Sequence, residues 1–179
     1  MKKDVIVKIK VKNEDSFDLK PFASAKESDP DDDVYDDFEE DDEVGESDIK
    51  TEAFPEEGIE IITEGTIGYN DSRLELKYLE TDESDLGNEQ TTVSFNVAEP
   101  SVVTMERNGV CRTAMVFEAG RRYISVYDVG GMVLELVVRT FELENKLSEG
   151  GGSLMLGYTL ENGGVTVSRV KMNIEVRLK

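Results

Sequence analysis

The sequence predicts an all-β protein whose strands follow one another as hairpins from residue 59 to residue 179. Apolar and polar side chains alternate along this stretch, short turns rich in glycine and asparagine join the alternating segments, and no window keeps the apolar periodicity of a helix. A long meander removes its exposed edge strands most simply by closing on itself. We therefore expect an antiparallel up-and-down β-barrel of about 8–10 strands.

Four segments make up the first half of the predicted barrel: residues 4–12, 59–69, 73–80 and 90–97. In the first segment valine and isoleucine alternate with lysine, which indicates one buried face and one solvated face. The second segment contains Gly65 and Gly68, and glycine inside a strand marks a bulge or a bend at a barrel corner. A loop over residues 81–89 separates the last two.

Six further strands are predicted at residues 102–107, 110–118, 122–128, 132–142, 153–160 and 165–178. The first two are joined by Asn108-Gly109, the strongest two-residue hairpin signal, and the preceding residues 98–100 should form a break. The strand at 132–142 is apolar on both faces, so we expect it to be covered on both sides, with a long loop after it at 143–152. In the last strand the apolar phase changes, which predicts a bulge near residues 168–169.

Most of the net charge of −20 is concentrated in one segment. Residues 27–48 hold 14 acidic side chains and no basic one, whereas the rest of the chain has a net charge of only −6. Burying the four large apolar side chains of this segment would gain roughly 6–12 kcal/mol, while ordering its backbone would cost on the order of 20–40 kcal/mol. We therefore predict a first barrel strand (1–13), an acidic, largely disordered insert (14–57) and the remainder of the barrel (58–179).

A calcium-loop pattern inside the insert is set aside as a chance match. Its acidic residues fall on most ligand positions of an EF-hand loop that would start at Asp29, but the position that needs glycine is Val34. Neither flank has a helical pattern. We predict no metal site, and a solvated spacer is the simplest interpretation of the insert.

The composition argues against several classes of function. The chain has no histidine, which excludes Ser-His-Asp and Cys-His nucleophile systems and zinc or haem held by histidine. The lone Cys111 alternates with Thr113 and Met115, so it is expected to be a small buried residue, not a reactive thiol. We predict no enzyme activity, no catalytic residues and no cofactor.

The same composition bears on partners and location. The negative charge and the lack of a basic patch with interleaved aromatic residues argue against nucleic-acid binding. The start of the chain looks like a signal peptide, but Lys8 interrupts the apolar run after three residues, and no stretch is long enough to span a membrane. We expect a cytoplasmic protein that does not associate with membranes.

A series of short motifs after residue 59 resembles the YwiB-like family of small bacterial proteins of unassigned function. The motifs are Tyr78 with Glu80, Thr91-Thr92-Val93, Arg107-Asn108-Gly109, Val116-Phe117-Glu118-Ala119-Gly120, Tyr127 with Gly131, Leu134-Glu135-Leu136 before Thr140, and the segment at 152–158. The resemblance implies a calycin-type, lipocalin-like barrel. The acidic insert departs from the family pattern, and the family assigns no catalytic residues.

Two functions remain open for such a barrel. One is a binding module for a small, partly apolar ligand in the lumen. The apolar phases place Tyr78, Met105, Met115, Phe117 and Tyr158 inside, with Glu80 and Arg107 beyond them near one end. The charged pair would orient the polar head of a ligand, or the two side chains only pair with each other or form the rim.

The other function is an interaction protein. In that case the acidic insert docks to a basic protein partner or mimics the charge of a nucleic acid.

Overall fold

The computed structural model describes residues 2–15, 58–80 and 89–179, which form ten β-strands. In chain order these are β1 (Lys2–Asp15), β2 (Ile59–Asn70), β3 (Arg73–Glu80), β4 (Glu89–Asn96), β5 (Glu99–Asn108), β6 (Cys111–Glu118), β7 (Arg122–Val129), β8 (Met132–Asn145), β9 (Gly152–Asn162) and β10 (Val165–Leu178). Each strand pairs antiparallel with the next, and β1 also pairs with β10. The predicted all-β, closed up-and-down barrel is confirmed, with no helix in the described part of the chain.

The barrel closes where the first strand meets the last. Val7 lies opposite Val176 and Ile9 lies opposite Ile174, so the inward rows of β1 and β10 match along the seam. A slip of one residue would turn these apolar rows outward, and the hydrophobic pattern therefore fixes the register. On its other side β1 pairs with β2, so the opening strand has a partner on both edges.

Side chains fill the interior between the two ends of the barrel. Phe117 on β6 is the largest fully buried side chain, and the ring of Tyr158 on β9 lies tilted beside it, with centroids 5.0 Å apart. Met105, Leu156 and Ile174 belong to the same buried cluster. Small barrels either fill their interior or hold one ligand, and the middle of this barrel is filled.

Strand β8 differs from the prediction in two ways. It continues to Asn145, into the predicted loop, because a register shift between Thr140 and Glu142 inserts one extra residue and lets pairing with β9 resume. The expectation that this strand is covered on both sides is wrong at its start. Met132 is 57% exposed and Val133 is 64% exposed, since the β7–β8 hairpin extends past the packed layers.

Strand β7 buries a serine and leaves its isoleucine in solvent. Ile124 is 71% exposed, whereas Ser125 is buried and its Oγ donates a hydrogen bond of 2.8 Å to the carbonyl of Ala114 on β6. The β6–β7 ladder contains only three residue pairs, at 111–113 and 127–129. The serine hydroxyl therefore makes a bond to β6 beyond the last paired residues.

Two smaller differences concern proline and a bulge. Strand β5 begins at Glu99 and includes Pro100, where the sequence predicts a break. Proline is tolerated near the first residue of a strand because the ladder has barely begun there, and a register shift between Phe95 and Asn96 adjoins it. The bulge predicted near 168–169 lies slightly earlier, between Thr166 and Ser168.

The predicted disorder of the insert and the calcium-loop pattern both fall outside the described residues. Within those residues, no helix has the length and apolar character needed to cross a membrane.

Candidate functional site

One end of the barrel collects the polar side chains that face inward, and we call it the mouth. At the mouth β3, β5, β7 and β9 end and the strands that follow them begin. Three described hairpins turn there, at residues 109–110, 130–131 and 163–164. At the mouth, inward side chains near the ends of neighbouring strands therefore lie close to one another.

The seven residues predicted for the site divide into two groups. Met105, Met115 and Phe117 lie in the packed middle of the barrel and are fully buried. The other four lie nearer the mouth: Glu80 and Arg107, together with Tyr78 and Tyr158, which also belong to the buried cluster. Two interpretations were open for Glu80 and Arg107. The structure contains the direct contact between these two side chains.

Strand register brings Glu80 and Arg107 together. Thr91 on β4 lies opposite Tyr78 on one side and opposite Arg107 on the other, so it bridges β3 and β5. The Thr91 hydroxyl donates a 2.7 Å hydrogen bond to Glu80 Oε1, and Arg107 Nε lies 3.3 Å from the same oxygen. Burial is the largest single influence and lowers the pKa of Arg107, but Glu80 together with the phenols of Tyr158, Tyr78 and Tyr127 raises it by more, so the pKa of Arg107 is raised.

Three phenols surround the ion pair: those of Tyr78, Tyr127 and Tyr158. Burial raises the pKa of all three, and the Glu80 carboxylate raises the pKa of Tyr78 further. The Tyr127 hydroxyl lies 3.0 Å from Met115 Sδ, to which it donates. The phenols are therefore neutral hydrogen-bond donors at physiological pH, and Tyr127 is the one of the three that stays partly exposed.

These three phenols are expected to ionise later than free tyrosine, whose pKa is about 10. Because their pKa is raised only in the folded chain, the unfolded chain releases these protons first as the pH rises. The folded state then holds more protons than the unfolded state, so the free energy of unfolding should fall above about pH 10. Tyrosinate absorbance and the thermal midpoint, both followed against pH, measure the two effects.

The control for this titration is Tyr158→Phe, which keeps the ring beside Phe117 and removes one late-ionising hydroxyl. It should reduce the absorbance change of the late phase without altering the early one. Ionisation of every tyrosine in a single early step, with the protein still folded, would contradict the assignment.

Glu89 is the main mouth residue that sequence reasoning missed. It is 0% exposed, and its Oε1 accepts a 2.8 Å hydrogen bond from the Cys111 backbone N–H. The hairpin packs against it so closely that a Cβ on Gly109 would lie 2.7 Å from Glu89 Cγ. The sequence did contain a signal for Glu89. Thr91, Val93 and Phe95 alternate as the inward row of β4, and continuing that alternation two residues towards the start of the strand places Glu89 in the same row.

Tyr127 and Ser125 on β7 were missed for a different reason. On β7 the apolar Ile124 and Val126 share a phase, and that phase faces outward. The inward phase carries Ser125, whose Oγ lies 3.1 Å from Thr113 Oγ1. Apolar content alone therefore assigns the wrong face here, and only pairing with Thr113 and Cys111 on β6 shows the true one.

The β7–β8 hairpin carries a row of partly exposed apolar side chains at the mouth. Leu136 and Leu134 belong to the inward row of β8, and Tyr127 and Val129 pair with Leu134 and Met132 across the hairpin. Leu136 is buried, but Leu134 is 40% exposed and Val129 and Met132 are more so. Inward-facing apolar side chains thus stay uncovered at the mouth, and Leu134 is connected to Arg107 along the ladder through Tyr127 and Thr113.

The fold also occurs in a solved bacterial protein. The crystal structure of the YwiB protein from Bacillus subtilis superimposes with a TM-score of 0.66, covering 99% of this chain and 93% of that one at 20% sequence identity. At this identity the likeness establishes the fold alone. None of the curated proteins matches the chain.

The family is established by the sequence itself. Residues 38–174 match the family model described as "Domain of unknown function (DUF1934)", which is most of the chain. The YwiB-like resemblance expected from the short motifs is thereby confirmed. The protein belongs to the DUF1934 family.

Proposed function

We propose that this protein binds a small, partly apolar ligand at the mouth of its barrel. The observation that carries the proposal is the exposed inward row of the β7–β8 hairpin at the same end of the barrel as the Glu80–Arg107 pair. An apolar group laid against Leu134, Met132 and Val129 would remove their surface from water, at about 25 cal/mol for each Å² buried. The mouths of β-barrels are also among the places where small-molecule sites preferentially occur.

The packed interior limits the size of this ligand. Phe117, Met105 and Met115 fill the barrel below the mouth, so a ligand would stop at the level of Arg107 and the three phenols. Polar groups at that depth would fix the orientation of a polar head, since hydrogen bonds to charged side chains are the stronger kind. A ligand with one short apolar part and one polar end fits this arrangement.

The proposal is binding without a chemical step. The chain has no histidine to serve as an acid–base group near neutral pH. Burial raises the pKa of the Cys111 thiol and the neighbouring Glu89 raises it further, so little of the nucleophilic thiolate forms. The phenols of the mouth keep their protons for the same electrostatic reasons.

Decanol is a suitable neutral probe, and Leu134→Ser with Val133→Ser is a matched pair of variants. Leu134 belongs to the inward row, whereas its neighbour Val133 belongs to the outer face and is the more exposed. Both are exposed enough that serine should leave the fold intact. Calorimetric titration should show decanol binding weakened about fivefold to tenfold by Leu134→Ser, the equivalent of roughly 1 kcal/mol, and unchanged by Val133→Ser.

Two results would overturn the proposal. Equal weakening by the two variants would mean that decanol binds nonspecifically to exposed apolar surface. Absence of decanol binding up to its solubility limit would remove the mouth as a ligand site.

A second candidate function rests on the sequence of the insert. Its 14 acidic side chains without a basic one form a polyanion suited to a basic protein partner. Affinity capture with the full chain and with a variant lacking residues 27–48, at low and high salt, tests it. Identical captured proteins from both forms would remove this candidate. A cytoplasmic location stays a prediction as well.

A further inference from the structure

The described side chains that face into the mouth carry an excess of negative charge. Glu80 and Glu89 lie directly opposite each other on β3 and β4, and like charges in that position repel. Arg107 is the cation that faces them, and its Nε lies 3.3 Å from Glu80. One guanidinium therefore offsets two carboxylates, and the mouth has a formal charge of −1 when these groups are ionised.

The unmet acceptor belongs to Glu89. Its Oε1 is satisfied by the Cys111 N–H, but its Oε2 is buried and has no hydrogen-bond partner among the described residues. A buried polar atom without a partner is costly, and more so when it carries charge. A hydrogen bond from a ligand to Glu89 Oε2 would therefore be strongly favoured.

The chemistry of the mouth favours an organic cation as that donor. Among the described residues no group of three or more His, Cys, Asp or Glu side chains is placed to hold a metal ion. The ring of Tyr127, which is only partly buried, adds aromatic surface, and aromatic rings attract cations. An anionic head would meet Arg107 but would raise the local charge to −2, whereas an ammonium head would bring it to zero.

We infer that the polar head of the ligand is a protonated amine that donates to the free oxygen of Glu89. This inference rests on the proposed function, because it concerns the ligand of the same mouth. The apolar part of such an amine lies along Leu134 and Met132, and its head lies between the two carboxylates. The net charge of −20 on the chain also favours the approach of a cation.

Three probes of equal chain length test the charge of the head: decylamine, decanol and decanoate. Calorimetric titrations at neutral pH and low salt should show decylamine binding about tenfold to a hundredfold more tightly than decanol, the range expected for hydrogen bonds to charged groups. Decanoate should bind more weakly than decanol. Glu89→Gln should remove most of the advantage of decylamine and leave decanol unchanged.

Glu106→Gln is the matched control. Glu106 is next to Arg107 on β5 but faces outward and is exposed, so Glu106→Gln removes one negative charge, as Glu89→Gln does, without touching the mouth. The preference for decylamine should survive this change. A preference that falls equally in both variants would show general attraction to an acidic protein and would overturn the inference.

A measurement on the unmodified protein covers the case in which Glu89→Gln does not fold. The Cys111 backbone N–H donates to Glu89, so its NMR resonance should move when decylamine binds and move much less with decanol. Equal shifts would contradict the contact with Glu89. If decanoate binds most tightly, the ligand does not have an amine head, but the proposed ligand site remains supported. If none of the three probes binds, the proposed ligand site is also wrong.

Discussion

Replacing Phe117 with alanine is expected to lower the free energy of unfolding by about 3–5 kcal/mol. The side chain is fully buried in the middle of the barrel, and the surrounding strands are tied to each other by ladders that resist collapse into the space left behind. The change also removes a tilted ring contact with Tyr158, worth about 0.5–1.5 kcal/mol beyond the area buried. Urea unfolding followed by circular dichroism gives the difference directly.

Tyr69→Ala is the comparison for that measurement, because it removes an aromatic ring that is 42% exposed and lies outside the buried cluster. It should cost less than about 1 kcal/mol, as exposed substitutions usually do. Phe117→Leu should fall between the two, since it keeps most of the apolar volume. If Phe117→Ala and Tyr69→Ala cost the same, the middle of the barrel is not packed as described.

The fold could be predicted because two independent signals agree along most of the chain. The turn residues at 108–109, 130–131 and 162–164 locate the hairpins, and the alternation between them gives the inward row. The inward rows of β3, β6 and β9, which contain Leu74, Met115 and Leu154, are buried as predicted. Closure followed from the need to cover the edges of a long meander.

The prediction was wrong where local polarity and position in the barrel disagree. The charged residues after 142 suggest a loop, but pairing with β9 continues through them because a bulge restores the register. The apolar start of β8 suggests a covered strand, but Met132 lies on a hairpin that rises past the packed layers. A pattern of hydrophobicity cannot report how far a strand extends beyond its neighbours.

The site was predictable only in part for a related reason. Tyr78 and Arg107 extend clear apolar rows, so their inward direction could be read from the alternation. Glu89 begins a strand beside a loop, where a carboxylate is usually solvated, and its burial depends on the hairpin at Gly109 packing over it. That contact joins residues twenty positions apart and leaves no local sequence signal.

The second large effect concerns the ion pair of the mouth. Arg107→Met is expected to lower the free energy of unfolding by about 3 kcal/mol, because it leaves a buried carboxylate without its cation. The loss should be severe here since Glu80 would then face Glu89 across the β3–β4 ladder with no positive charge between them. Urea unfolding at neutral pH provides the value.

The double variant Glu80→Gln with Arg107→Met separates repulsion from lost packing. It should be more stable than Arg107→Met alone, with a coupling energy of about 1–3 kcal/mol between the two positions. Arg112→Met serves as the control, because Arg112 and Asp128 form a 3.0 Å pair on the outer side of the barrel with Arg112 largely exposed. That change should cost less than about 1 kcal/mol. A loss for Arg107→Met no larger than for Arg112→Met would mean that solvent screens the mouth, and the charge argument for its ligand would lose its basis.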